Sequence, residues 1–251
     1  MAKRVIDDGT LTSIADRIRE CAPSLEGTTF TPTEMPEKIG KVFDTGKQTQ
    51  YDEFWDRFQS NGSRQQYDHA FKGSYWDDNT FKPKYDIIVS NSAEKMFYGN
   101  SCITDLRDIG VKMNFGNCTD LTQAFAACDA LLYIGDISAA KVTSCTAMCS
   151  LSQPLREIGV FTVGEATTFG NCFFGCRALE KVTFAGTIGN SLKMHYCPLN
   201  RESIESIIEC LSKTASGQSL TLNQAAKEAA FTGEEWATLI ADKANWTISL
   251  S

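Results

Sequence analysis

The sequence predicts an α+β chain: an irregular stacked solenoid with a small N-terminal helical module and an α/β C-terminal cap. Three observations predict it. A ten-residue unit, Phe-x-x-Cys-x-x-Leu-x-x-Val at Phe173–Val182, fills its slots with Phe173, Cys176, Leu179 and Val182 and recurs at Phe125–Ile134 with Phe125, Cys128, Leu131 and Ile134. Cys102, Cys128, Cys149, Cys176 and Cys197 follow one another at steps of 26, 21, 27 and 21 residues, and a period in the twenties is the mark of stacked coils. Composition changes abruptly on both sides of this region, as it does where terminal segments cover the open ends of a repeat array.

At 251 residues the chain is long enough for a sizeable core. Its 42% hydrophobic and 22% charged residues are ordinary for a globular protein. A net charge of −7 argues against a nucleic-acid partner, which would meet phosphates with a basic face. No segment approaches the roughly 20 apolar residues of a bilayer span, so no membrane insertion is expected. The start, MAKRVIDDGTLTS, has two basic residues with no apolar run behind them, which is unlike a secretory signal. Most of the ten cysteines fall on a slot suited to a small buried apolar side chain, and a free Cys behaves as one. Cysteines on adjacent coils, about 4.8 Å apart, would reach each other if oxidised; a reducing cytoplasm argues against it.

Residues 1–43 are expected to form the helical module. Thr10 caps a helix carrying Leu11, Ile14, Ala15 and Ile18. A second helix starts near Thr31 or Thr33, where Pro36 favours the later start, and its apolar face is Met35, Ile39, Val42 and Phe43. Two short helices bury too little surface alone, so the module is read as a cap or an attachment device. Residues 44–94 form an aromatic-rich segment, with a polar linker at Asp44–Gln50. Ten aromatics crowd into Tyr51–Tyr85, and Tyr51, Phe54, Trp55 and Phe58 share one helical face. Tyr51, Trp55, Tyr67, Tyr75 and Trp76 are the candidate interaction surface, because exposed aromatics are what interfaces use. The competing reading, core filler over a solenoid end, is favoured.

The solenoid proper spans 95–198. Each copy is expected to place a short turn or helix at Phe-x-x-Cys and then a strand: Leu131–Ile137, Leu155–Val163 and Leu179–Phe184. Phe115, Cys118 and Leu121 read as a shorter copy. Residues 199–251 form the cap. Asn200 starts a helix with Ile204, Ile207, Ile208 and Leu211; Ser219–Leu222 is a strand; Thr232 and Glu235 make a capping box before Trp236, Leu239 and Ile240; and Trp246–Leu250 alternates as a final strand.

The Phe-x-x-Cys-x-x-Leu-x-x-Ile/Val copies resemble the BspA-type leucine-rich repeats of bacterial surface and phage-encoded proteins. The closing run from LNRESIESIIECL onward is similar to the terminal cap that follows such repeats. The opening TLTSIADRIREC and TFTPTEMPEKIGKVF resemble the N-terminal helical segment of virion proteins from phages of Gram-positive bacteria. The repeats are irregular and most lack the Ile-Pro that often follows the strand in that family. The resemblance implies recognition or structural roles rather than catalysis.

Catalytic and metal signatures are sparse. His69 and His195 stand in no His-Glu-x-x-His setting, and no Gly-x-Ser-x-Gly, Walker loop or Gly-x-Gly-x-x-Gly is present. Cys197 with His195 has the residue types of a nucleophile pair, but both sit on a repeat slot. Cys145/Cys149 and Cys172/Cys176 tempt a zinc reading, yet their 27-residue separation is the repeat length itself. Asp77, Asp78 and Asn79 lack the alternating calcium-loop spacing and read as a turn. Asn61, Asn117 and Asn245 head glycosylation sequons, which carry weight only with a eukaryotic secretory route. No catalytic, cofactor-binding or metal-ligating residue is therefore expected.

The leading expectation is a non-enzymatic phage virion protein, tail- or fibre-associated and assembled in the host cytoplasm. Its partners would be other virion proteins in a homo- or hetero-oligomeric assembly, and a host surface protein or glycan. The alternatives are a leucine-rich-repeat adhesin on the bacterial cell surface, which needs an export route, and a cell-wall glycan hydrolase, which needs a carboxylate pair in a groove.

Overall fold

A computed structural model of the chain describes residues 70–73, 76–78, 81–83 and 85–251. The expected helices within 1–43, the linker 44–50 and the aromatic face at 51–58 lie outside the described residues. The described residues are mixed α/β, with short strands in several small sheets and three short helices. In chain order the strands are β1 Ile87–Ile88, β2 Met113–Asn114, β3 Tyr133–Ile134, β4 Ile137–Ala139, β5 Glu157–Val163, β6 Lys181–Gly186, β7 Leu192–Met194, β8 Gln218–Leu222 and β9 Trp246–Leu250. The helices are α1 Arg201–Cys210, α2 Gln224–Ala230 and α3 Gly233–Ile240. None of these helices is long and apolar enough to cross a membrane.

Every strand pairing is parallel, and partners lie one coil of chain apart. Ile87 faces Met113, Tyr133 faces Glu157, Glu157 faces Lys181, Leu192 faces Leu220 and Gln218 faces Trp246. Parallel strands need a crossover of a dozen or more residues, usually a helix. Here the crossover is a turn segment with a fixed backbone pattern. Lys95 and Gly99, Gln123 and Ala127, Ala147 and Leu151, and Asn171 and Gly175 are pairs of left-handed residues four apart.

That conformation sends alternate N–H groups in different directions. In the coil at 145–152, the Cys145, Ala147, Cys149 and Leu151 N–H groups donate to the Thr168, Gly170, Cys172 and Phe174 carbonyls of the next coil at 2.7–2.9 Å. The Met148, Ser150 and Ser152 N–H groups turn back to Cys145, Ala147 and Cys149. The coils at 93–100 and 121–127 repeat the scheme, so even the crossover is hydrogen-bonded to its neighbour.

The register sorts the core into columns. Phe71, Phe97, Phe125, Cys149 and Phe173 form one, with Phe71 and Phe97 rings 5.2 Å apart and Phe97 stacked on Phe125 at 5.5 Å. Ile103, Leu131, Leu155 and Leu179 form a second; Leu106, Ile134, Ile158 and Val182 form a third. All of them are buried.

The column of Cys128 and Cys176 differs from its sequence reading in membership and in role. Its other members are Asn100 and Ser152, while Cys149 occupies the Phe slot. Phe115, Cys118 and Leu121 precede Phe125 within one coil and are not a separate copy. Each member of the column donates a side-chain hydrogen bond back to the preceding coil. Cys128 Sγ reaches the Phe97 carbonyl at 3.1 Å, Ser152 Oγ the Phe125 carbonyl at 2.6 Å, and Cys176 Sγ the Cys149 carbonyl at 3.0 Å. Asn100 Nδ2 donates to the Trp76 carbonyl at 3.2 Å, and Cys197 Sγ continues the series with a longer 3.9 Å contact to Phe173. The slot therefore selects a small donor rather than a small apolar group. Ser152 also accepts from the Cys128 N–H at 3.0 Å, so one hydroxyl serves two coils.

Helix α1 covers one edge of this stack. Asn200 caps α1 by accepting from the Ser203 N–H, and Ile204, Ile207 and Ile208 are buried. Ser203 and Ser206, one turn apart on α1, accept from the Val182 and Phe184 N–H groups of β6 at 3.0 and 3.1 Å. The helix thereby satisfies the outer edge of β6, a standard way of protecting an edge strand. Beyond it, β7, β8 and β9 form a three-stranded parallel sheet with α2 and α3 between β8 and β9 in the chain.

If donation rather than size defines the slot, Cys176→Ala should cost about 1–3 kcal/mol, while Cys176→Ser should retain most of the stability. Urea unfolding of the three proteins checks this; equal losses in Ala and Ser would leave packing as the whole role of the thiol.

Candidate functional site

The turn segments put two residues per coil in the left-handed region, and those positions point their side chains away from the core columns. In the column Gly73, Gly99, Ala127, Leu151 and Gly175, four positions carry Gly or Ala and one carries leucine. A branched side chain at φ 64° is an uncommon and mildly strained choice. Leu151 is 48% exposed, and its N–H donates to the carbonyl of Phe174, which is itself 42% exposed. On the following coil the Tyr196 ring meets Phe174 edge-on at 5.1 Å. His195 lies 4.0 Å from Tyr196, and the Arg177 guanidinium lies 5.7 Å from the same ring. Leu151, Phe174 and Tyr196 thus form an apolar and aromatic ridge across three coils, edged by an imidazole and a guanidinium. Aromatic and arginine groups in this arrangement are what interface anchors are made of.

A second outward row lies on the strands. Asp105, Tyr133, Glu157 and Lys181 are register partners, and Arg107 crosses the row. Its guanidinium sits 3.7 Å from the Tyr133 ring and pairs with Asp105 at 2.7 Å and Glu157 at 3.4 Å, while Lys181 meets Glu157 at 3.0 Å. Burial raises the Asp105 carboxyl, but the Arg107 side-chain and backbone hydrogen bonds outweigh it and leave it lowered. The charges in this row are turned on one another, and exposed pairs of this kind add little stability. A third feature, a groove of about 420 Å³, lies between α1 and α3 and is lined by Arg201, Glu205, Phe231, Thr232, Glu235 and Leu239. Thr232 backbone and Arg201 hydrogen bonds hold the Glu235 carboxyl down to about 2, and Arg201 also reaches Glu205 at 2.8 Å.

Of the candidate aromatics, Tyr51, Trp55, Tyr67 and Tyr75 lie outside the described residues, as does His69. Trp76 is 9% exposed and meets Phe71 and Phe81 edge-on at 6.0 and 5.8 Å, so it packs in the core. The ridge was not singled out by sequence reasoning. Phe174 stands beside a core phenylalanine in the run Phe173-Phe174, and only the register shows which of the two faces out.

Among the described residues, Cys118, Cys128, Cys145, Cys149, Cys172, Cys176 and Cys197 belong to the core, while Cys102 and Cys210 are half-buried. Burial pushes the Cys128 and Cys176 thiols up to about 12, and raises Cys145, Cys149, Cys172 and Cys197 as well. These groups stay protonated at neutral pH, and the thiolate is the nucleophile and metal ligand. Among the described residues, no group of three or more His, Cys, Asp or Glu side chains gathers to hold a metal ion. The Asp78 carboxylate accepts from the Thr104 and Asp105 N–H groups, binding one coil to the next.

No family model matches this sequence, and no curated protein or solved structure matches it.

The thiols give a pH prediction. An unfolded Cys titrates near 9 and the buried ones higher, so the folded state holds its protons longer. Their contribution to stability is complete below pH 9 and declines as pH rises from about 9 towards about 12. Thermal melts over that range should show the decline. Thiol reagents applied to the native chain at pH 8, with the labelled positions mapped by mass spectrometry, should leave Cys145, Cys149, Cys172 and Cys176 unmodified until the chain unfolds.

Proposed function

We propose that the chain is a non-enzymatic recognition protein: a solenoid of the BspA-type leucine-rich-repeat kind that presents a repeat surface to a partner, as a tail- or fibre-associated component of a phage virion. The observation that carries the recognition role is the ridge of exposed Leu151 and Phe174 and half-buried Tyr196, in which Leu151 stands on a left-handed column where neighbouring coils place glycine or alanine. An exposed leucine in a strained conformation contributes little to the fold it sits on, and strain of this kind concentrates at functional positions. The repeat-like stacking supports the solenoid reading, since each coil contacts its neighbours through the same columns while its outward residues vary. The virion setting rests on the resemblance of the opening segment to the N-terminal helical segment of phage virion proteins, and the partner would be a neighbouring virion subunit or a host surface protein or glycan.

Mass spectrometry of purified phage particles from the strain that encodes the chain is expected to detect it; repeated absence from such particles would overturn the virion setting. The ridge has its own test. Leu151→Gly and Phe174→Ala should keep the fold, with melting temperatures close to that of the parent protein. Particles carrying both changes should adsorb to host cells on the order of tenfold less well, as expected for loss of aromatic and aliphatic anchors. Unchanged adsorption together with unchanged particle assembly would remove the ridge from the recognition surface.

A further inference from the structure

We infer that β9 is a self-complementary edge through which two copies of this chain pair antiparallel across a twofold axis at Ile248. The inference is independent of the virion setting. Two outer strand edges illustrate the contrast. On β6, the outward N–H groups of Val182 and Phe184 are taken by Ser203 and Ser206 of α1. β9 is the edge strand of the β7–β8–β9 sheet and pairs only with β8 among the described residues.

The parity of β9 fixes which groups face the open side. The Ser251 N–H donates to Leu222 and the Ser251 carbonyl accepts from Gln224, so residues of this parity, Thr247, Ser249 and Ser251, turn towards β8. The Ile248 and Leu250 N–H and carbonyl groups therefore point away from it. An antiparallel pair needs a residue that exchanges both N–H and carbonyl bonds with its opposite number, and Ile248 is placed to do so with Ile248 of a second copy.

The side chains match the same operation. Along β9, Trp246, Ile248 and Leu250 lie on one face and Thr247 and Ser249 on the other. A twofold axis at Ile248 sets Ile248 against itself, Trp246 against Leu250 and Thr247 against Ser249, so apolar meets apolar and hydroxyl meets hydroxyl. Shifting the register by one residue would mix the two faces. No charge stands on β9, so the operation brings no like charges opposite each other, and no lysine, proline or bulge of the kind that protects edges interrupts the strand. Ile248 and Leu250 are only half-buried in the single chain. A second copy would extend the sheet across the axis and bring Ile248 and Leu250 against their counterparts, which is the isologous arrangement commonest among homo-oligomers.

Light scattering on the full chain at tens of micromolar is expected to give twice the 27.7 kDa chain mass. Ile248→Pro removes the outward N–H on the axis while leaving the β8–β9 ladder its donors, since proline is tolerated where an edge N–H faces out. That variant should be monomeric with an unchanged circular dichroism spectrum. The register has a separate readout that requires no loss of function. Ile248→Cys should form a covalent dimer under mild oxidant, because paired Cα atoms across such a site lie about 5.5 Å apart; Thr247→Cys should not, because residue 247 opposes residue 249. A monomeric parent protein would overturn the inference. So would a dimer untouched by Ile248→Pro, or equal crosslinking of the two cysteine variants.

Discussion

The structure depends on one arrangement of backbone hydrogen bonds. In the turns at 93–100, 121–127 and 145–152, every second N–H donates to the neighbouring coil and the ones between fold back over three residues. Two left-handed residues four apart make this geometry. It removes the usual need for a crossover helix, because the crossover itself is a ladder. It also leaves the Phe125 carbonyl to the Ser152 hydroxyl, while the Cys128 and Cys176 thiols add a second donor to the Phe97 and Cys149 carbonyls, which already accept the Asn100 and Ser152 N–H groups. A buried polar group left without its partner costs about 1–3 kcal/mol. The identity of one small side chain per coil therefore matters as much as the larger phenylalanines and leucines beside it.

Much of the core was legible because its columns follow simple spacing. Leu131 and Leu179, and Ile134 and Val182, stand where the ten-residue unit places them, and the capping box at Thr232 and Glu235 is read directly from residue identity and spacing. Two things misled the reading. The first is that cysteine fills more than one slot, so the Cys149 step looked like part of the Cys128–Cys176 series, whereas Ser152 holds that position. The second is unequal coil length. Asp105 pairs with Tyr133, 28 residues on, while Thr119 receives Thr143, 24 residues on. The difference is absorbed in the loop at 107–112, where it leaves the columns undisturbed and the apparent period irregular. Helix α2, Gln224–Ala230, escaped for another reason: it buries no residue, so it has no apolar stripe to read, and it stands on the Asn223 cap and alanine-rich propensity.

The outward face was the least legible part, and the backbone explains why. Phe173 and Phe174 are adjacent and identical in chemistry, yet one is buried in the phenylalanine column and the other is exposed beside Leu151. Hydrophobic periodicity reports only the residues that repeat, and a surface presented between the repeats carries no period. The same separation explains the cysteines. The Cys128 and Cys176 thiols, held protonated by burial, are donors within the stack, while the aromatic, imidazole and guanidinium groups of Phe174, Tyr196, His195 and Arg177 lie outside the core columns.

Stacking in one dimension also concentrates unsatisfied backbone at the ends of a sheet, where the last strand has a neighbour on one side only. β6 meets this constraint with α1, whose serines at 203 and 206 rise one helical turn apart and so match alternate N–H groups of the strand. Hydroxyls suit that task because they accept from the strand while keeping a proton for a second bond: Ser206 Oγ donates to its own helix at the Ser203 carbonyl. A helix with alanine at both positions would bury the same apolar face but leave two strand donors without acceptors. The cap is thus specified by its polar residues as much as by Ile204, Ile207 and Ile208, which is the logic of the core slot carried onto the edge of the sheet.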